Sequence, residues 1–380
     1  MQRMKLGAAV KVLLACALFL TTFGWAGGAA FAAPEAPESV GAVYVLTNAA
    51  AGNAVAVFAR AADGTLAAAG TVATQGLGTG AGLGSQGALA LSENGHWLFA
   101  VNAGSDDISV LRIDDGRLRF VSRTSAGGVR PISLTVDDDL LYVLNAGSNN
   151  ITGFHISDGG HLRPLAGSTQ PLSGANAGPA QISFAPNGRT LVVTEKSTNL
   201  IDTYTVGHNG VAQGPVVHSS AGTTPFGFAF AGQDHLIVSD AFGGAANAGA
   251  LSSYTVSKHG DLDTVSALAY SRQTAPCWVA TTGNGRYAYT TNAGSGIISG
   301  YRVDHHGRLS LLNADGRTGV LAAASHPIDL GFSHNSRYLY ALTTGTPLGI
   351  AGFRVAADGS LTALPSVSGV PASAAGLVAR

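Results

Sequence analysis

Residues 131–162 read PISLTVDDDL LYVLNAGSNN ITGFHISDGG HL, and the architecture follows from this stretch. An apolar, alternating segment follows Pro131. A second segment, Leu141-Tyr142-Val143-Leu144, closes on Asn145-Ala146-Gly147-Ser148, and a third ends at the Gly turn before Leu162. Alternation with period two marks strands packed on one face of a sheet, and the Gly and Asn positions supply the positive φ that tight hairpins need.

The pattern repeats along the chain. A turn of the Asp/Asn/His-Gly-x-Leu kind recurs at Gly64, Gly116, Gly160, Gly210, Gly260, Gly307 and Gly359, spaced 44 to 52 residues apart; the copy at Asn209-Gly210 lacks the Leu. Proline-led apolar segments begin at Pro131, Pro179, Pro225, Pro276 and Pro327, and strands close at Asn102, Asn145 and Asn292. Between these two marks lies a second turn, such as Asn94-Gly95, Asn187-Gly188 or Asn284-Gly285. Each unit therefore predicts four antiparallel strands. Such a sheet leaves its apolar faces wet when alone, and radial stacking of neighbours removes them from water. The expected fold is all-β, a seven-bladed β-propeller of four-stranded antiparallel blades. The first unit, starting at Val43-Tyr44-Val45-Leu46, has no proline-led strand ahead of it. Residues 371–378 are expected to pair there and close the ring with both chain ends in one blade.

Composition agrees. Of 380 residues, 21 Lys+Arg against 22 Asp+Glu leave a net charge of −1, with no basic block for a phosphate backbone, so no nucleic-acid partner is expected. Hydrophobic residues at 46% with only 11% charged exclude a disordered chain, and 52 Gly fit a turn-rich one. Arg3, Lys5 and Lys11 precede an apolar run over 12–23 and the Ala30-Phe31-Ala32 site, the pattern of a signal peptide with cleavage after Ala32. The expected division is 1–32 signal peptide and 33–380 a single propeller domain. It implies a secreted or periplasmic protein with no membrane span after cleavage. Cys277 is then the only cysteine of the mature chain, so no intrachain disulfide is available, and its apolar surroundings predict a buried thiol.

Strand parity sorts the turns. The Asn-Ala-Gly-Ser turns and the segments entering each proline share one end of the ring, and the two Gly turns share the other. Polar groups expected at the first end are Asn102, Arg130, Asn145, Glu195, Lys196, Asp240, Asn292, His326 and Asp329. The three Asn can equally bond their own turns, and Glu195 and Asp240 replace that Asn in their units. Convergence at one channel mouth makes the set a candidate ligand site.

The proline-led strand, the Leu-Tyr-Val strand and the Asp-Gly-Arg-Leu turn, repeated over the mature length, resemble the lactonase family of seven-bladed propellers, which includes 6-phosphogluconolactonase-like and carboxymuconate cyclase-like proteins. Tyr142-Val143-Leu144-Asn145-Ala146-Gly147-Ser148 and Tyr289-Thr290-Thr291-Asn292-Ala293-Gly294-Ser295 also resemble the YVTN repeats of secreted surface propellers. The resemblance implies a His, two Arg and a Glu at the channel. Here Gly178-Pro179-Ala180-Gln181-Ile182 holds no His, Phe226 stands where an Arg would follow Pro225, and Ala241 stands near the Glu position. Later prolines are followed by Cys277 and Ile328. Lactone chemistry needs a proton carrier and a cation for the oxyanion, and these positions supply neither.

No Gly-x-Ser-x-Gly elbow, HExxH pair or paired-Cys pattern is present, so no metal and no cofactor are expected. The glycine-rich run 76–84 has no helix after it and reads as a flexible inter-blade loop rather than a dinucleotide fingerprint. Two readings follow. One is a non-catalytic module binding a small polar ligand, a glycan or a surface protein through its rim and the insert 242–250. The other is a cofactor-free lactonase or cycloisomerase with a relocated catalytic set, Arg130, Glu195 and His326.

Overall fold

The computed structural model describes residues 39–380; the expected signal peptide and its cleavage point lie outside the described residues. Seven antiparallel sheets follow one another along the chain. Blade 2 is Leu89–Leu91, Trp97–Asn102, Asp107–Asp114 and Arg117–Ser125, from inner to outer strand; blade 3 is Pro131–Asp137, Leu140–Asn145, Asn150–Ile156 and Leu162–Pro164, its edge prolonged by Gln170–Pro171. Blade 4 is Pro179–Phe184, Thr190–Glu195, Leu200–Val206 and Ala212–Ser219; blade 5 is Pro225–Ala231, His235–Asp240, Ala250–Val256 and Leu262–Tyr270. Blade 6 is Pro276–Thr281, Tyr287–Asn292, Ile297–Val303 and Leu309–Leu311, with Gly319–Val320 added at its edge; blade 7 is Ser325–Phe332, Tyr338–Gly345, Gly349–Val355 and Leu361–Ala363. Five of the seven inner strands start at, or two residues before, the prolines that the sequence marks.

Blade 1 closes the ring as expected. Its second to outer strands are Ser39–Leu46, Ala54–Ala61 and Leu66–Ala73, and its inner strand is Ala375–Ala379 from the other end of the chain. Val43 pairs with Ala379, Tyr44 with Val378 and Val45 with Leu377. The inner strands then contact one another in sequence around the axis, Ala375–Ala379 lying between those of blades 7 and 2.

What joins neighbouring blades is apolar packing plus a recurrent tyrosine. The Tyr three residues before the second-strand turn donates its hydroxyl to the Gly carbonyl of the next blade's outer turn: Tyr142 to Gly210 at 2.7 Å, Tyr289 to Gly359 at 2.7 Å and Tyr340 to Gly64 at 2.8 Å. Each of these rings is fully buried. A buried phenol keeps its apolar contribution only if its hydroxyl finds a partner, and the Gly turn provides one from the adjoining sheet.

Candidate functional site

The proline that opens an inner strand cannot donate to the ladder, so pairing skips a register step immediately after it. Pairing resumes at Ser133, Gln181, Phe228, Trp278 and Asp329, leaving Ile132, Ala180, Phe226, Cys277 and Ile328 in bulges. A bulge re-aims side chains, and here the re-aimed ones are apolar. Ala180, Phe226, Cys277, Trp278 and Leu330, from blades 4 to 7, pack in one cluster with Ile328 against it. The Phe226 and Trp278 rings meet at 4.9 Å between centroids.

Blade 2 has no proline-led inner strand, and its approach segment does something the sequence does not announce. Residues 84–87 run among the inner strands of other blades. Gln86 N donates to Ala180 O of blade 4 at 3.1 Å, and the Gln86 side chain exchanges two bonds with the backbone of Val279 in blade 6, Nε2 to O at 2.7 Å and N to Oε1 at 3.0 Å. Trp278 Nε1 donates to Ser85 O at 2.8 Å, and Ser85 Oγ donates to Ile132 O of blade 3 at 2.8 Å. Gly87, at φ 82°, allows the chain to leave this crossing and start Leu89–Leu91. The central end of the ring at the proline side is thus crossed by the protein's own backbone and one amide.

Lys196, at the turn of blade 4, covers this crossing. Its Nζ donates to Gly84 O at 2.5 Å and Pro179 O at 3.0 Å and stands 4.8 Å from the centroid of the Phe226 ring. Burial lowers the ammonium to about 8, the Cys277 thiol opposing and Arg130 adding to the shift. Cys277 is buried, and burial pushes its thiol up to about 12, with Lys196 opposing. That thiol stays protonated near neutrality and is a packing group.

Six of the polar residues expected at the mouth lie inside the protein. Asn102, Asn145, Glu195, Asp240 and Asn292 are 0% exposed, and Asp329 is 2% exposed. The three Asn act alike, since each amide reaches a hydroxyl seven residues on, Asn102 to Ser109 at 2.8 Å, Asn145 to Thr152 at 3.3 Å and Asn292 to Ser299 at 2.9 Å. Asn102 Oδ1 also accepts from Asn53 and Thr74, which ties blade 1 to blade 2.

In blade 4 the same two positions are Glu195 and Asp202, seven apart and both carboxyl. Ser173 N donates to Glu195 Oε1 at 3.0 Å and to Asp202 Oδ2 at 2.9 Å, and the hydroxyls of Ser173 and Thr198 reach Glu195 Oε2. Asp202 is raised well above the ordinary carboxylate range, first by burial and then by the carboxyl of Glu195. Burial and a like neighbour both favour the protonated form of Asp202. Sequence patterning singles out Glu195 and misses Asp202; the seven-residue spacing after Asn102, Asn145 and Asn292 is the signal that could have found it.

In blade 5, Asp240 Oδ1 accepts from Ser220 at 3.3 Å, Oδ2 has no hydrogen-bond partner among the described residues, and burial raises the carboxyl to about 7. Asp329 sits on the inner strand of blade 7 and lines the axial channel rather than its rim. Its two oxygens accept from Leu330 N and from Leu377 N of the closing strand, both at 2.8 Å, and burial raises it to about 8 against those two bonds.

Arg130 and His326 are exposed. Arg130 N donates to Asp106 Oδ1 at 2.6 Å, and its φ of 55° is shared by Gly178, Thr224 and Ala275, which also precede an inner-strand proline. That backbone geometry belongs to the blade entry. His326 Nδ1 lies 3.1 Å from Ala293 O. No hydrogen bond or ion pair joins any two of Arg130, Glu195 and His326 among the described residues. The run 76–84, expected to be flexible, is instead tied to the first blade's turn: Gly78 N donates to Ala49 O, Gly80 N to Asn48 O and Thr79 N to Asn48 Oδ1. Its backbone donors find fixed acceptors, which sequence composition alone does not reveal.

Seven four-stranded sheets around an axis, closed by strands from both chain ends, make the chain a seven-bladed β-propeller. Residues 41–172, which hold blades 2 and 3 and most of the three N-terminal strands of blade 1, match the family model described as Lactonase, 7-bladed beta-propeller. No curated protein matches the chain. Among solved structures, a protein from Bacteroides fragilis proposed to be a 6-phosphogluconolactonase is 18% identical with a TM-score of 0.71, over 90% of this chain and 98% of that one. A protein from Lactobacillus plantarum is 17% identical with a TM-score of 0.71, over 90% and 99%. The periplasmic gluconolactonase of Pseudomonas aeruginosa is 16% identical with a TM-score of 0.66, over 89% and 98%. At these identities the likeness is one of fold.

Proposed function

We propose that this chain is an exported, non-catalytic propeller that binds a small polar ligand, a glycan or a surface protein through the rim at its proline end. One observation carries the reading: the Gln86 side chain, bonded twice to Val279, crosses between inner strands at the proline end of the axis. Around it stand Ala180, Phe226 and Cys277, and the cation beside them, Lys196, is engaged by the carbonyls of Gly84 and Pro179. The carboxyls of Glu195 and Asp202 are 0% exposed, so they offer no base to solvent. The rim itself carries exposed apolar side chains, Leu77, Val129, Tyr270 and Val320, and a tilted Phe242–Tyr270 ring pair at 6.3 Å beside the blade 5 insert.

The second reading, a lactonase or cycloisomerase, rests on the names of the structural neighbours and on Arg130 and His326, both exposed at that rim. Glucono-δ-lactone, 6-phosphogluconolactone and a muconolactone, offered to wild type, to Glu195→Gln and to His326→Ala, separate the two. The binding reading expects no hydrolysis above buffer in any of the three, with retention on a glycan or surface-protein array that is lost when the insert 242–250 is shortened. Turnover by wild type that disappears in both variants overturns it. Export is checked by the mature mass: an N-terminus at Ala33 is expected, and one at Met1 rejects it.

A further inference from the structure

At the opposite end of the ring five blades dock the outer Gly turn of the next with a second-strand side chain; in blade 4 that position is Thr190, and the Gly260 turn instead meets Thr203 of the third strand. The docking side chain is the second-strand residue two before the recurrent tyrosine position. Tyr338 of blade 7 meets Gly64, Trp97 of blade 2 meets Gly160, Leu140 of blade 3 meets Gly210, His235 of blade 5 meets Gly307 and Tyr287 of blade 6 meets Gly359. A Cβ on any of these glycines would fall 2.3 to 2.8 Å from that side chain. Blade 1 has Ala42 at this position, and a Cβ on Gly116 of blade 2 would meet nothing within 4 Å.

The missing side chain leaves a cavity of about 250 Å³, lined by Ala42, Tyr44, Val57, Ala59, Gly116 and Arg380. Tyr44 is the blade 1 counterpart of Tyr142, Tyr289 and Tyr340. Those three reach the next blade's turn, whereas Tyr44, 1% exposed, makes no hydrogen bond to the blade 2 turn and has the Arg380 guanidinium as its polar neighbour. Burial raises its phenol, and the Arg380 guanidinium near it offsets part of that shift. Arg380 is placed by the closing strand, its N donating to Ala42 O at 2.9 Å.

We propose that this gap binds a small phenol, whose ring takes the place that the Tyr287 and Tyr338 side chains fill in blades 6 and 7. The sibling junctions supply the chemistry. Tyr338 Oη donates to Ala62 O at 2.8 Å and Tyr287 Oη to Ala357 O at 3.0 Å, each acceptor two residues before the turn Gly. The corresponding carbonyl in blade 2 is that of Asp114. Elsewhere a guanidinium stands over the docking ring, Arg112 at 5.9 Å from Trp97 and Arg302 at 5.5 Å from Tyr287. Arg380, whose Nη1 donates to Gly95 O at 3.0 Å, lines the gap and is the cation beside a ring seated at Ala42. The pocket is at the far end from the proposed rim site and is independent of it.

The test uses p-cresol, the tyrosine side chain as a free molecule, titrated into the full mature chain and followed by NMR and calorimetry. Saturable one-to-one binding is expected, weakened about tenfold or more in Ala42→Tyr, which supplies the ring covalently and leaves the melting temperature at or above wild type. Ala59→Leu, which narrows the same gap from the facing strand, is expected to weaken binding likewise and keeps the test intact if the first variant fails to fold. Toluene, lacking the hydroxyl, is expected to bind several-fold more weakly. Binding that does not saturate within the solubility of p-cresol, or that is unchanged in the filled variants, or equal affinity for toluene, overturns the proposal.

Discussion

Gln86 and Val279, 193 positions apart and in blades 2 and 6, exchange a pair of hydrogen bonds across the centre of the ring. Blades that do not touch along the circumference are thereby joined at the axis.

Gln86→Ala removes both bonds and leaves a buried N–H and carbonyl on an inner strand. Each net bond is worth roughly 0.5–1.5 kcal/mol and an orphaned buried group costs about 1–3 kcal/mol, so a loss of about 2–4 kcal/mol is expected in denaturant unfolding. A loss below about 0.5 kcal/mol would mean that the crossing is not held by this side chain.

Ring closure makes a second prediction. Removing the chain after Gly369 takes away Ala375–Ala379, exposes the inner edge of Ser39–Leu46 and leaves Asp329 without the Leu377 N–H. Unfolding should shift to lower denaturant as a whole, all probes moving together. An unchanged melting curve would defeat the closure role.

For the buried carboxyl pair, Glu195→Gln restores the amide chemistry that Asn102, Asn145 and Asn292 use in their blades and relieves Asp202 of a like neighbour. Stability near pH 7 is expected to be equal or higher. Glu195→Ala instead orphans Ser173 and Thr198 and opens a cavity, with an expected loss of about 3–5 kcal/mol. Equal stability of the two variants would show that the pair is not a bonded unit.

Asp240 sets a pH dependence. Its folded value, about 7, lies above that of an unfolded Asp, so the folded state holds the proton more tightly. The stability this gives is complete below about pH 4 and lost as pH rises to about 7. Asp240→Asn should therefore lose less stability than wild type between pH 4 and pH 7 in urea titrations. Parallel curves for the two proteins would remove Asp240 from the pH response.

The hairpins were legible in the chain because their causes are local. Alternating apolar residues, Asn-Gly and Asp-Gly turns and strand-opening prolines act over a few residues, and seven repetitions leave one way to bury all the sheets. Cys277 was legible as a packing thiol for the same reason. Asn102, Asn145 and Asn292 were visible as a repeat, but whether an Asn faces a ligand or a hydroxyl seven residues away depends on which way a buried side chain turns. The crossing at 84–87 was not legible. Glycine carries no periodicity, and the partners of this segment, Ala180 and Val279, lie far along the chain.

Sequence by itself determined the blade count, the strand order and the strand that joins the two ends, since each rests on patterning and turn chemistry that the residues carry wherever they are. Tertiary structure alone decided that Gln86 crosses the axis to Val279, that Glu195 is enclosed with Asp202, and that Ala42 leaves a gap beside Tyr44. These are properties of groups brought together by ring closure, and what a side chain bonds or fails to fill is fixed by its neighbours in space.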